Sequence, residues 1–260
     1  DWFSSTEIIV LAVVAVVCLT YFIVWELGEK YPIVDLSLFK DRNFTVGVTA
    51  VSLGFMLYMG TLTLLPLVLQ THLGYTATWA GLAAAPVGIL PVILSPLIGR
   101  FGARLDMRWL VTASFLVFAF TFHWRTNFYA GMDFGNVIWP QFWQGLGVAM
   151  FFMPLTAITL SHMKGPQIAA ASSLSTFLRV FMGGVGVSIV TTTWEKREAL
   201  HHTQLAEQIT PYSHATREAV QGMMQAGMSE QQAYGSIVRS ISQQGFIIGS
   251  NEIFWGGSVL

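Results

Sequence analysis

Charge is what this chain has least of. Only 10% of its 260 residues are charged while 53% are hydrophobic, against about a quarter charged in a soluble domain. Between Arg42 and Arg100 there is no Lys, Arg, Asp or Glu at all. A hydrocarbon core about 30 Å thick needs roughly 20 apolar residues of helix, so this run is long enough for two crossings with a tight reversal. The net charge of −1, without a basic patch, leaves no footprint for nucleic acid. Cysteine is nearly absent: Cys18 stands alone, which excludes a disulfide framework and a thiolate metal site within one chain. His201, His202 and His214 show no metal-ligand spacing, so no metal site is expected. Walker, nucleophile-elbow and zinc-protease patterns are also missing. No catalytic residue and no cofactor are therefore expected, and a pump built on this chain would draw on a gradient.

What is present is a series of long apolar segments. By length they read as helical spans at about 8–27, 45–70, 76–99, 109–128, 138–161 and 167–194. Backbone polar groups in lipid must be satisfied internally, and runs this uniformly apolar lack the alternation of barrel strands. The expected fold is all-α, a polytopic transmembrane bundle. No basic n-region or cleavage pattern precedes the first run, which reads as a span and not as a signal peptide. Residues 246–260 read as the opening of a further span, so a larger transporter-like protein is expected around this chain.

The loops alternate in charge. Lys30, Lys40 and Arg42 follow the first span, Arg100, Arg104 and Arg108 the third, and Lys164 the fifth, whereas 71–75 and 126–137 hold no Lys or Arg and Arg125 borders the latter. The positive-inside rule makes the basic set cytoplasmic and the long 195–245 segment periplasmic. Trp2, Trp79, Trp109, Trp139 and Trp194 lie near span ends, as an interfacial belt would. Residues 29–44 read as an interfacial amphipathic helix, with Ile33, Leu36 and Phe39 on one face. In the long segment, Ser229 is a plausible N-cap, and Ala233, Ile237 and Ile241 form a stripe at four-residue intervals that calls for a packing surface.

Few residues could carry chemistry. Arg179 is the only formal charge between Lys164 and Glu195; an Arg at mid-span costs roughly 2.5–3.5 kcal/mol on insertion scales and usually faces a wet cavity, though snorkelling to the headgroups is the alternative. Gln141 and Gln144, one turn apart, with Trp143 and Phe151 nearby and Phe55 and Tyr58 on the second span, offer the mixture of aromatic area and sparse polar groups that holds a bulky amphipathic ligand. Arg100, Arg104, Asp106 and Arg108 form a turn whose charges could latch two helix ends as a gate. Pro86, Pro91 and Pro96 should bend the third span.

Several segments carry a resemblance to a known group: residues 32–44 (PIVDLSLFKDRNF), 74–82 (GYTATWAGL), 85–88 (APVG), 94–96 (LSP), 169–174 (AAASSL) and 251–255 (NEIFW). In these the chain resembles the C-terminal part of the fourteen-span drug:proton antiporters of the major facilitator superfamily. The resemblance implies a linker span at 1–28, five spans of the C-terminal bundle within 45–194, and a final span begun at 246–260. The Arg100–Arg108 turn then corresponds to a cytoplasmic gating loop, without the complete family motif. The implied activity is proton-coupled export of small hydrophobic drugs across a bacterial inner membrane by alternating access. The implied partners are the lipid bilayer, the N-terminal half of the same transporter, a periplasmic adaptor protein and an outer-membrane channel. A membrane scaffold or assembly subunit that binds a partner through its long periplasmic segment is the alternative.

Overall fold

The computed structural model describes residues 5–29, 35–101, 106–210 and 212–260; Trp2, Pro32, Ile33 and Arg104 lie outside these. The described residues form nine α-helices and two 3-10 turns: α1 (Thr6–Gly28), α2 (Arg42–Thr71), α3 (Ala77–Ala84), α4 (Ile89–Phe101), α5 (Met107–Arg125), α6 (Phe134–Leu160), α7 (Pro166–Glu207), α8 (His214–Gln225) and α9 (Glu230–Val259). Among the described residues, 6–26, 42–71, 77–100, 134–160 and 167–207 are long and apolar enough to cross a membrane. The remaining proposed span is α5, 19 residues long, which is less apolar because Arg108, His123 and Arg125 occupy its ends. The protein is an all-α, multi-pass bundle.

Helix starts follow from short polar side chains that satisfy orphan N–H groups. The Asp41 carboxylate accepts from the Phe44 N–H at 2.8 Å, Asp106 from Arg108 N–H at 3.0 Å, and Ser229 with Gln232 closes a reciprocal capping box. The Phe44 N–H, helped by His162 at 3.4 Å, holds the Asp41 carboxyl below its usual range. Two aspartates six residues apart also reshape the expected interfacial helix. Asp35 caps a 3-10 turn at Leu36–Lys40 and Asp41 opens α2 immediately after it, so there is no room for an amphipathic α-helix among the described residues there. The inward residue of this turn is Leu38, packed with Phe44 and Val48, while Phe39 is exposed.

The bundle is built on the pairs α2 with α7, α5 with α6, α7 with α9 and α4 with α6. Glycine sets how closely α2 and α7 approach: a Cβ on Gly186 would collide with the Met56 backbone carbonyl, and one on Gly60 would meet Val190 at 2.6 Å. The third span is broken. α3 stops at Ala84, a 3-10 turn occupies Ala85–Gly88 around Pro86, and α4 resumes with Pro91 in its first turn and Pro96 within it. Interruption at Pro86 is what a missing backbone donor produces. α1 keeps its apolar side chains exposed, and a helix apolar all round needs no protein core when lipid surrounds it.

α7 has 42 residues, about 63 Å of helix, and so runs well past a 30 Å core. The 195–245 segment is mostly helical: the end of α7, then α8, then the first half of α9. Ala233, Ile237 and Ile241 pack with Val220 of α8 and with Leu205, so the stripe is covered by the chain itself. Where α7 and α9 leave the bundle, Trp194 is buried, only 4% exposed, with its Nε1 donating to the Phe246 carbonyl at 2.9 Å. It is a core residue and not a member of an interfacial belt, because α9 packs over it. Trp79, Trp109 and Trp139 are exposed. His72 stacks on Phe246 at 3.7 Å, and its carbonyl accepts from Gln243 Nε2 at 2.6 Å. Burial lowers the pKa of its imidazole.

Candidate functional site

Arg179 stands 13 residues into α7, about 20 Å along the helix axis, deep within a 30 Å core. Its guanidinium carbon lies 5.4 Å from the Phe55 ring centre and 5.8 Å from that of Phe152. Phe55, Tyr58 and Phe152 stand edge-on or tilted to one another at 5.7–6.2 Å, so an aromatic cage offers two ring faces to the cation and Tyr58 packs against both rings. The Arg179 Nε is buried and, among the described residues, has no hydrogen-bond partner. α2 contributes Phe55 and Tyr58 one turn apart, α6 contributes Phe152, and close packing at Gly183 against Phe55 brings α7 onto them. Arg179 thus meets Phe55, and Tyr58 lies one ring further along. Phe151 packs behind the cage, with its ring 5.0 Å from Phe152, in a core cluster with Phe118 and Leu155.

A second polar cluster lies elsewhere. Gln141 and Gln144 are each 1% exposed, and against Gln144 lies Arg125, which is 0% exposed. Its Nη2 donates to Gln144 Oε1, and its guanidinium lies 5.7 Å from the Phe122 ring and 5.5 Å from that of Phe254. Arg125 marks a loop border in the sequence, so its burial has to be explained. The α5–α6 connection folds back over the bundle, with Phe128 and Met132 buried in the core, and Asn251 of α9 donates to the Phe128 carbonyl at 2.8 Å. Residue 125 is thereby covered by its own loop and by α9. The available signal was a lone cation in the last turn of one span, followed by two glutamines on one face of the next. Tyr58 of the first cluster and Phe122 of the second line one common cavity.

Trp143 does not join either cluster. It is exposed and packs on Phe142 at 5.8 Å. In the proposed gating turn, Asp106 caps α5, Arg100 lies in the last turn of α4, and Arg108 follows Asp106 in the first turn of α5; Arg104 is outside the described residues.

Two cavities lie between the helices. One of about 440 Å³ lies among α2, α7 and α9, is walled mainly by apolar residues such as Met56 and Ile189, and has Arg197 and Glu252 on its rim. Glu252 also meets His201 at 3.1 Å and Arg197 at 3.4 Å, a charged rim that the sequence reading did not single out. The other, of about 210 Å³, is walled by Tyr58, Phe118 and Phe122. Among the described residues no cluster of three metal-ligating side chains occurs.

No protein-family model matches the chain, but curated relatives do. It is 76% identical over 260 residues to the fatty acid resistance protein FarB of Neisseria gonorrhoeae, covering 100% of this chain and 51% of that protein. It is 57% identical over 256 residues to the multidrug export protein EmrB of Escherichia coli K12, covering 98% and 50% respectively. It is 45% identical over 255 residues to the probable multidrug resistance protein EmrY of the same strain, again covering 98% and 50%. The chain thus spans about half the length of the curated relatives it matches. With its apolar helices, this kinship assigns it to the bacterial inner membrane as a multi-pass protein. The chain belongs to the EmrB and EmrY group of multidrug efflux transporters within the major facilitator superfamily.

Proposed function

We propose that this chain is the C-terminal half of a proton-coupled exporter that moves hydrophobic or amphipathic compounds across the inner membrane by alternating access. The names of its relatives refer to multidrug export and to fatty acid resistance, compounds that partition into lipid. The observation that carries the reading is the Arg179 cluster, in which a cation deep in a membrane helix lies over two aromatic rings, Phe55 and Phe152, with a buried N–H left open among the described residues. Such a residue is costly in lipid and pairs naturally with a wet passage or ligand, while the rings offer non-directional contact to bulky apolar molecules. The N-terminal half of the transporter would close the pathway from the other side, and a proton gradient would drive the cycle. The break at Pro86 provides a place where the third span can flex between states, and the 100–108 turn would act as the cytoplasmic latch. The helical projection of α7, α8 and α9 is the natural contact for a periplasmic adaptor leading to an outer-membrane channel.

The test is dye or drug transport in inverted vesicles that carry the full-length transporter, energised by an imposed pH gradient. Arg179→Ala is expected to abolish transport while the amount of folded protein in the membrane is unchanged. Undiminished transport by that variant would refute the role assigned to the cage.

A further inference from the structure

Where α7 and α9 leave the bundle they carry a charge cluster remote from both arginine clusters. Glu252 of α9 faces two residues of α7 that stand one turn apart: its Oε2 lies 3.4 Å from Arg197 Nε and its Oε1 3.1 Å from His201 Nε2. The helices touch closely here. A Cβ on Gly249 would sit 3.3 Å from the Arg197 Cβ, and one on Gly245 would sit 3.4 Å from the His202 backbone nitrogen, so the side chains of α7 and α9 meet directly. Trp194, through its bond to the Phe246 carbonyl, anchors the same crossing.

The two basic partners of Glu252 differ in kind. Arg197 is charged at every physiological pH, so it gives the carboxylate a permanent counter-charge. His201 is charged only after it takes up a proton, and histidine is the side chain that does so between about pH 5 and 8. Its Nε2 and the Glu252 Oε2 are buried, and among the described residues neither completes a hydrogen bond. Both contacts are therefore held by charge, and the one to His201 becomes an ion pair only on protonation. With Nε2 turned inward, the proton enters at Nδ1 from water, which reaches the 15% of the side chain left exposed. No covalent bond between heavy atoms changes; the imidazole becomes an imidazolium facing the carboxylate.

The surrounding elements supply no rival partner. Among the described residues only Glu252 brings a carboxylate within ion-pair distance of His201. α2 beyond Arg42 and all of α6 hold no Asp, Glu, Lys or Arg, and α2 adds His72, stacked on Phe246. On α7 the neighbouring titratable residues are Glu195, Lys196, Glu198 and His202, and on α9 they are Glu230 and Arg239. α5 ends in His123 and Arg125, the latter over Phe254 on another face of α9. α8 meets α9 at Ala233, Ile237 and Ile241, roughly three turns away, and there His214 pairs with Glu218 beside Arg217.

We infer that His201, with Glu252 as its counter-charge, is a proton-binding site on the side of the long 195–245 segment, and that the proton bound there tightens α7 on α9. α7 is continuous from Pro166 to Glu207, so this clasp and Arg179 lie on one rod, roughly 33 Å apart. The inference rests on the export reading and adds to it the residue that takes up the proton from the far side.

The experiment uses the full-length transporter in a His72→Gln background, so that the histidine stacked on Phe246 does not titrate. Hydrogen exchange over α9, corrected for the intrinsic rate, is compared at pH 8 and pH 6 in purified protein. Dye export is followed in inverted vesicles loaded at pH values from 8 down to 6 with the outside held at pH 8. Protection of residues 245–252 is expected to rise about three-fold at the lower pH, the worth of one partly exposed ion pair. His201→Gln and Glu252→Gln should abolish that rise and flatten the dependence of export on luminal pH. Arg197→Gln, which removes the permanent charge and leaves the titrating one, should keep both. If His201→Gln fails to reach the membrane, Glu252→Gln decides alone. Protection that does not change with pH in the background protein, a rise that survives in either variant, or a luminal pH profile that neither variant alters would overturn the inference while export stands. Absence of dye export by the unaltered transporter would instead remove the export reading, and hydrogen exchange would still decide the clasp.

Discussion

Arg179 and Arg125 are both cations placed among apolar helices, and they are held in opposite ways. Arg179 is partly exposed and meets its surroundings through ring faces, with a free Nε. Arg125 is sealed, hydrogen-bonded to Gln144 and covered by the α5–α6 connection and α9. A cation held only by aromatic faces is free to exchange neighbours, whereas one hydrogen-bonded to a glutamine under a lid of chain contributes to the fold. Removing each should therefore do different damage.

The largest effect is expected at the sealed cluster. Gln144→Leu leaves the buried guanidinium without its one hydrogen bond and should cost about 3–5 kcal/mol, seen as a lower thermal-unfolding midpoint in detergent. The pair replacement Arg125→Met with Gln144→Leu should recover most of that loss, because apolar groups then replace both halves. Arg179→Met, by contrast, should cost only about 1 kcal/mol, the scale of the cation–π contacts it gives up. Equal destabilisation at the two arginines would erase the distinction.

Next in size is the α2–α7 contact that carries the cage. Gly186→Val places side-chain atoms against the Met56 carbonyl and should cost about 1–3 kcal/mol by overpacking, together with loss of transport as Phe55 moves away from Arg179. The Ser229 cap, remote from both arginines, should give the smallest change in this series. Ser229→Ala is expected to cost about 1 kcal/mol, to expose the start of α9 to hydrogen exchange, and to leave both clusters intact.

His72 sharpens the comparison from the pH axis. Burial against Phe246 and Trp194 lowers its pKa from the usual 6.5 or so, so the folded state favours the neutral ring. Its contribution is complete above that usual value and is lost as pH falls through the lowered folded one. Unfolding midpoints measured from pH 7.5 downwards should drop in the unaltered protein, and the drop should be smaller in His72→Gln.

The comparison also explains what could be read in advance. Arg179 was legible because long apolar runs flank it on both sides, which fixes its depth whatever the tertiary fold. Phe55 and Tyr58 were legible as a surface, and their meeting with Phe152 followed once α2, α6 and α7 packed. Arg125 was not legible as buried, because a charge at the end of a span looks like a loop charge until the connection folds back over it. Trp194 misled for a related reason: an aromatic at a span end reads as belt, and only the return of α9 makes it core. Within 29–44, the described stretch after Asp35 is a 3-10 turn, because local capping by two aspartates overrides the spacing of apolar residues there. Helical spans are set by the solvent and so are written in composition, whereas which span-end residues become buried is set by contacts between distant segments.

The central claim is that lipid surrounds these helices and that Arg179 faces a wet passage within them. The direct measurement is the reaction of an introduced thiol with a membrane-impermeant methanethiosulfonate in native membranes, using Arg179→Cys in a full-length background whose native cysteines, Cys18 among them, are replaced by serine, because reaction requires a water-reachable thiolate. The account predicts labelling at this position, slowed by an exported compound. Complete protection there, with rapid labelling of a thiol introduced at the exposed Tyr212, would contradict it.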